Sequence, residues 1–344
     1  MLRGARDGAW AKSGAPLPYG GLCFTANVAD SSVALSKVGS PPDVTLVKSF
    51  DGKNWSEYLV GETIVLPNPG DRVFLAAGES GNNAFATINS NYHKFVMTGS
   101  VAASGDISSL RSFGLSHDAL ATYCYARMFN GCTGLTSAPE LPATTLGSDC
   151  YQYMFVGCTG LTSAPELPAT TLVAYCYQRM FSGCTGLTSA PKLPATTLTG
   201  GNVYNGMFYG CTGLTSAPEL PATTLSLGCY RSMFSGCTGL TSAPELPATT
   251  LSLGCYNGMF DGCTGLTSAP ELPATTLMTS CYQSMFKGCT ALTSIRVNFT
   301  AWGAQTNGWV SDVSPTGTFY KPIALVDERG TGRIPAGWDV VNVG

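Results

Sequence analysis

The sequence has little charge and almost no histidine. Charged residues make up 11% of the 344 residues, the formal net charge is -3, and there are 2 histidines, His93 and His117. This balance excludes a nucleic-acid-binding protein, which needs a basic face. Phosphate-loop, dinucleotide-binding and His-Glu-x-x-His patterns are missing, and neither histidine lies near a nucleophile motif. We therefore expect no enzyme activity, no catalytic residue and no cofactor.

Long apolar runs are missing as well. No stretch is long enough to span a bilayer, so the sequence predicts no membrane insertion. The start, Met1–Asp7, is not followed by the apolar segment of a secretory leader. Glycine and proline are abundant, at 41 and 21 residues, but 44% of the residues are hydrophobic, which favours an ordered chain.

One sequence motif is repeated through the second half of the chain. The repeat is Cys-Tyr-x-x-Met-Phe-x-Gly-Cys-Thr-Gly-Leu-Thr-Ser-Ala-Pro-Glu-Leu-Pro-Ala-Thr-Thr-Leu-x-x-x, and its period of 26 residues is broken only by an insertion within 199–202. Such a period predicts a stacked solenoid in which each unit buries its apolar side against its neighbours. The copies start at Cys124, Cys150, Cys176, Val203, Cys229, Cys255 and Cys281.

Within one unit the pattern predicts a strand and a short helix. Leu135, Ala138 and Leu141 alternate with polar residues, and the proline between them should end strand pairing. Leu146, Cys150 and Met154 then recur at i, i+4 and i+8, the spacing of one apolar stripe on about three helical turns. A glycine closes the stripe, as at a helix C-terminus. The predicted unit is strand, turn, short helix and turn, and the predicted fold class is an α+β repeat solenoid.

The composition changes along the chain predict four segments. Residues 22–103 contain short β-branched or alternating runs separated by turn residues, which is typical of a small antiparallel sandwich. Trp55 and Tyr58 should pack in or over its core. The predicted segments are a flexible N-terminal arm at 1–20, a β-sandwich domain at 21–103, the repeat solenoid at 104–294 with a capping unit at 104–123 and seven units from Cys124, and a C-terminal cap at 295–344.

Thirteen of the 14 cysteines occupy two positions of the repeat. The fourth unit has Val203 at the first position and keeps the second cysteine, which suits a small buried apolar slot better than a disulfide. We therefore favour buried free thiols over disulfides, and both over a zinc site, because the close cysteine pairs of such sites are missing. The expected structural core of the second unit and its boundary is Cys132, Cys150, Met154, Phe155, Cys158 and Leu161.

A charged row is the candidate ligand-binding site. If the strands stack in register and line the concave side, the glutamate of each unit aligns with the next and the carboxylates repel by about 1 kcal/mol per adjacent pair in water. A ligand or a bound cation could relieve this repulsion, whereas the alternative is a solvated row without function. The variable positions Ser148, Gln152 and Val156 should form the solvent face of the helix. The row is Glu140, Glu166, Lys192, Glu219, Glu245 and Glu271.

The repeat ends near Ile295, and the tail contains three of the five tryptophans. We expect Trp302, Trp309 and Trp338 to cover the apolar face of the last unit, because an uncapped solenoid end would expose a large apolar patch. An aromatic platform for sugars is the alternative. Asn307-Gly308 is a typical hairpin turn signal.

The segment Met-Phe-x-Gly-Cys-Thr-Gly-Leu-Thr-Ser-Ala-Pro-Glu-Leu-Pro resembles the BspA-like leucine-rich repeats, the 26-residue bacterial surface protein repeat. The resemblance implies a leucine-rich-repeat solenoid on a cell surface that binds a macromolecule, either a protein or a glycan, without catalysis. Similar arrays, preceded by a β domain, occur in gut bacteriophage proteins, so a virion structural or receptor-binding tail protein is the alternative. In either case the N-terminal arm or the β domain could hold an assembly partner.

Overall fold

The N-terminal part of the chain is built of two antiparallel sheets. A computed structural model describes residues 21–78, 85, 90–111 and 118–343; the expected flexible arm and His117 lie outside these residues. The strands are β1 (Leu22–Ala26), β2 (Ser31–Val38), β3 (Leu46–Ser49), β4 (Ser56–Tyr58), β5 (Ile64–Leu66), β6 (Arg72–Ala77), β7 (Tyr92–Thr98) and β8 (Val101–Ser104). One sheet has the order β4-β3-β6-β1-β8 and the other β5-β2-β7.

The two sheets pack through alternating apolar residues. Along β2, buried and partly exposed residues alternate, because successive side chains of a strand point to opposite faces. Phe24 of β1 meets Phe95 of β7 edge to face, with ring centroids 4.8 Å apart. Tyr58 is buried, as predicted, and Trp55 is half-buried.

The first sheet continues directly into the repeat array. Strand β9 (Leu135–Ser137) of the first unit pairs in parallel with β8, so the sandwich edge is covered by the solenoid. A short 3-10 helix, η1 (Ile107–Leu110), lies between the two parts and is capped by Asp106, whose carboxylate accepts from the Ser108 backbone N–H at 2.7 Å. The buried residues form one continuous apolar core from Leu22 to Trp338.

Short parallel rungs join many adjacent coils at two places, although not every pair of coils forms both. The first lies at Thr-Ser, where Ser163, Ser189 and Ser216 of successive coils pair with each other. The second lies at Thr-Thr-Leu, where Thr145 pairs with Thr171. The first rung lengthens into strands at both ends of the array, in β9 at the near end and in β10 (Ser268–Leu272) and β11 (Ser294–Val297) at the far end. Equivalent residues therefore stack in register along the axis.

The helix predicted in each unit is wrong. The segment is a run of consecutive turns, in which the residue before the first cysteine, the residue three after it and the following glycine all have positive φ, as in Asp149 (59°), Tyr153 (57°) and Gly157 (70°). Their N–H groups donate to the next coil, for example from Tyr153 to the Gln178 carbonyl at 3.0 Å, whereas alternate N–H groups such as those of Gln152 and Met154 donate three residues back. An α-helix needs negative φ throughout and bonds four residues back, so it is excluded.

The apolar stripe is instead a set of stacked ladders. Seven tyrosines, from Tyr125 to Tyr282, stack with centroids 5.7–6.1 Å apart. Seven phenylalanines, from Phe129 to Phe286, stack at 5.3–5.7 Å. Methionines and cysteines fill the space beside them with exposures close to zero. The fold class is therefore a β-type solenoid and not an α+β repeat.

The C-terminal segment closes the stack with parallel strands. Strands β12 (Thr318–Pro322) and β13 (Asp339–Val343) extend the sheet in the order β10-β11-β12-β13, all parallel. A 3-10 helix, η2 (Ala304–Thr306), leads to Gly308, which continues a left-handed row of the turn run. The predicted hairpin at this glycine is wrong, because the chain adds a further coil. Trp309 is fully buried against Tyr282 and Phe286, and Trp338 is buried as well.

Candidate functional site

The six charged residues of the predicted row are all exposed and lie at one corner of the coil. In each unit the leucine that follows the charged residue is buried, at 3–4% exposure for Leu141, Leu167 and Leu193. Because neighbouring residues of an extended segment point to opposite sides, the charged side chain points to solvent. We call Glu140, Glu166, Lys192, Glu219, Glu245 and Glu271 the glutamate row.

Shallow hollows separate adjacent coils along the glutamate row. One is lined by Glu219, Glu245 and the prolines beside them, and a second by Glu140, Glu166 and their prolines. Proline has a rigid ring and a fixed φ, so the walls of each hollow are preorganised. The row thus presents carboxylates between hard apolar ridges, a surface that suits a cationic or hydrogen-bond-donating partner.

The two ends of the glutamate row differ in sign. At the first end, the backbone of Asp106 pairs with that of Glu140, and the Asp106 carboxylate accepts hydrogen bonds from Ser108 of η1. Arg296 aligns with Glu271 at the other end and lies 5.3 Å above the ring of Tyr320. Within the described chain no three His, Cys, Asp or Glu side chains gather in a way that could hold a metal ion. The geometry gives the bound-cation hypothesis no support.

Threonine columns lie beside the glutamate row. The threonine two residues before Ala-Pro is exposed in the units from Thr162 to Thr267, and in several units its hydroxyl donates to the carbonyl of the equivalent threonine one coil earlier, as from Thr188 to Thr162 at 3.3 Å. The Thr-Thr pair after the row is exposed too, at Thr170 and Thr171. The repeated hydroxyls hold the coils in register and give the row a flat, polar border.

The cysteines are buried and free, all fourteen of them. The second cysteine of each unit donates its S–H to the phenylalanine carbonyl of the preceding coil, as from Cys158 to Phe129 at 3.1 Å. Desolvation raises the thiol pKa, to about 12 for Cys132 and Cys150, so the nucleophilic thiolate is disfavoured. The core residues named from the sequence, Cys132, Cys150, Met154, Phe155, Cys158 and Leu161, are 0–2% exposed.

His93 is buried in β7 and packs edge to face on Phe85 at 5.3 Å. Neither ring nitrogen has a hydrogen-bond partner among the described residues. Desolvation, helped by the nearby Lys37 charge, lowers its pKa to about 4, so the ring is neutral at physiological pH.

The turn run forms a second exposed surface, the turn face, which the helix prediction described wrongly. Gln152, expected on a solvent face, is 6% exposed and donates to Gln178 at 2.7 Å, as part of an amide ladder. Around it stand exposed tyrosines and arginines, including Arg127, whose guanidinium lies 4.6 Å from the Tyr153 ring. Because these positions vary between units, sequence periodicity gave no signal for them. A column-by-column comparison of the copies could have found them.

Comparison with known proteins identifies the repeat. The model for the BspA type leucine rich repeat region matches six copies over residues 108–216 and 201–304, which is more than half of the chain. No curated protein and no solved structure matches the chain. In the part of the chain that the structure describes, no helix has the length and apolarity needed to cross a bilayer. The chain belongs to the BspA-type leucine-rich repeat family.

Proposed function

We propose that this protein is a surface-exposed recognition or adhesion protein that binds a macromolecular ligand, a protein or a glycan, through its rigid solenoid and without catalysis. The observation that carries the proposal is the in-register stacking of identical coils. It converts one exposed side chain per unit into a continuous row, while the aromatic ladders behind it keep the row rigid. A rigid, repeated surface loses little conformational entropy on binding.

The chemistry of the buried groups supports binding rather than turnover. The thiols are protonated and inaccessible, and His93 is neutral without a partner among the described residues. The glutamates are equivalent copies on one exposed corner, whereas acid/base catalysis needs two groups with different environments. Family membership supports a surface repeat protein that binds other proteins.

Display on a virus particle is the alternative carrier for the same surface. The sandwich supports it, because its sheet continues into the first coil through β8 and β9 and would transmit a fixed orientation from an attachment point. In that case the β-sandwich or the N-terminal arm contacts the particle and the solenoid contacts the receptor. Cell-surface and virion display differ in the carrier and share the proposed binding chemistry.

The glutamate row is tested by the sign of its charge. We expect the full chain to bind members of a panel of immobilised extracellular-matrix proteins and glycans, and Glu219→Gln/Glu245→Gln/Glu271→Gln to weaken that binding at least tenfold. Loss of three carboxylates from one continuous row removes both Coulomb attraction and hydrogen-bond acceptors. Biolayer interferometry at two salt concentrations measures the change.

Lys192→Glu is the matched control, because it completes the row without altering the core. Binding of a cationic partner should become a few-fold tighter in this variant. Unchanged affinity in both variants would remove the glutamate row from the binding surface. A panel without any bound member would contradict the proposed function itself.

A further inference from the structure

The solvent-reaching tyrosines of the described chain are concentrated on one part of the turn face. Apart from the stacked ladder and the buried Tyr58, six described tyrosines reach solvent: four lie on the turn face, Tyr92 lies in β7 within reach of Arg127, and Tyr320 lies in β12. Two of them are well exposed, Tyr175 at 38% and Tyr209 at 43%. Tyr92, Tyr123 and Tyr153 are half-buried.

Arginines stand between these rings. Arg127 lies 5.5 Å from the centroid of Tyr92 and 4.6 Å from that of Tyr153, so its guanidinium bridges the sandwich and the second coil. Arg179 lies over the next coil, where a Cβ on Gly206 would meet its Cγ at 3.0 Å, and its guanidinium is 5.2 Å from the Tyr209 ring. Stacking on rings holds both guanidinium groups in place before a ligand arrives.

The arrangement ends abruptly along the axis. At the positions of Arg127, Tyr153 and Arg179 the later coils carry only Gly206, Ser232, Gly258 and Ser284. All of these positions share the left-handed backbone, for which glycine is the least strained residue. Ser232 and Ser284 share this strained backbone, so what distinguishes the first three coils is the size and chemistry of the side chains at this position.

The charge of this region is opposite to that of the glutamate row. Lys94, Arg127 and Arg179 lie on the turn face of the first three units or at its border, with the carboxylate of Asp149 beside them. Asp149 itself is engaged by the Gln152 amide at 3.1 Å, and desolvation raises its pKa. The surface therefore attracts an anionic partner.

The side-chain types favour a sugar chain over a peptide. Flat aromatic rings cover apolar faces of a ligand while their hydroxyls stay wet, and guanidinium forks pair with carboxylate or sulfate groups. The amide side chains of Gln178 and Asn205 beside them add donors and acceptors for hydroxyl groups.

We propose that Tyr123, Arg127, Tyr153, Tyr175, Arg179 and Tyr209, here the Tyr–Arg patch, bind an acidic polysaccharide. The patch is a second binding surface on a different side of the coil from the glutamate row. It is independent of the macromolecular ligand proposed above, and either surface can fail without the other.

Titration calorimetry of the full chain with polygalacturonate and with heparin tests the proposal, with neutral dextran as the uncharged probe. We expect binding to at least one acidic chain, none to dextran, and weaker binding as salt rises. Arg179→Gln should weaken binding about tenfold and Tyr209→Ala about threefold or more. Both residues are exposed, so the melting temperature should stay within a few degrees of the unsubstituted protein.

Arg296→Gln is the matched control, because Arg296 also stacks on a tyrosine, at 5.3 Å, but lies outside the patch. Its affinity should be unchanged. The proposal is overturned if neither acidic polysaccharide binds, if dextran binds equally, or if Arg296→Gln weakens binding as much as Arg179→Gln. Full competition by poly-glutamate would also overturn it, because it would assign the patch to an acidic protein.

Discussion

The sandwich and the solenoid bury their apolar side chains in different ways. In the sandwich, every core position is unique: Phe24 meets Phe95 across two sheets, and antiparallel partners come from distant parts of the chain. In the solenoid, each residue meets copies of itself from the coils above and below. The sandwich core depends on long-range topology, whereas the solenoid core depends on nearest neighbours.

This difference has consequences for function. A unique core fixes one shape, and substitutions on its surface stay isolated. In a repeated core, equivalent residues of successive units stack, so an exposed side chain present once per unit becomes a row. Positions without core contacts can differ from coil to coil. The glutamate row is such a stacked row, and the Tyr–Arg patch consists of positions that differ from coil to coil.

The largest expected effect tests whether the two cores unfold separately. Phe24→Ala and Phe208→Ala each remove a fully buried ring, and each should lower the free energy of unfolding by about 3–5 kcal/mol. Hydrogen exchange should show Phe24→Ala exposing the sandwich strands together, whereas Phe208→Ala exposes only its own coil and the two beside it. Loss of sandwich protection in Phe208→Ala would mean that the continuous core unfolds as one unit.

Acid should lower the stability of the sandwich but not that of the solenoid. The folded state lowers the pKa of His93 to about 4, below its usual 6.5, so its contribution to sandwich stability is complete above pH 6.5 and is lost as pH falls towards 4. After allowance for solvent screening, we expect a loss of about 2 kcal/mol. The neighbouring Asp43, with a pKa lowered by Lys37, acts in the same direction.

In the solenoid, burial raises the pKa of Asp149 and Asp261, so protonation favours the folded state there and acid should not weaken it. Trp55 fluorescence follows the sandwich, and circular dichroism follows the whole chain. His93→Phe should remove most of the sandwich's acid sensitivity. An equally steep acid transition in this variant would assign the effect to other groups.

The smallest effect distinguishes the two cysteine ladders. Cys229→Val should cost less than about 1 kcal/mol, because Val203 already occupies this position in the preceding unit. Cys237→Val removes the S–H donor to the Phe208 carbonyl at 3.0 Å, although that carbonyl keeps the bond from the Cys211 N–H, so it should cost about 1 kcal/mol more than Cys229→Val. Urea unfolding of both variants measures the difference, and equal costs would show that the thiol hydrogen bond contributes nothing.

The helix error shows the limit of apolar spacing as a signal. Leu146, Cys150 and Met154 recur every four residues, a spacing that fits both a helix and the observed turn run. In the turn run the left-handed residues also recur every four residues. The available counter-signal was glycine: Gly206 and Gly258 lie inside the supposed helix, where each costs about 1 kcal/mol relative to alanine. Read across all copies, these positions favour left-handed backbone.

By itself, the sequence determined the period, the family, the residues of the core and the capping role of Trp309 and Trp338, because each follows from local pattern and from the need to cover apolar surface. Only the tertiary structure decided the contacts between neighbouring coils. The left-handed turns exist only because their N–H groups reach carbonyls 25 or 26 residues away, and the parallel C-terminal strands exist only because β11 offers them an edge. The Tyr–Arg patch is likewise a product of stacking, which brings side chains from separate coils within 5 Å of each other.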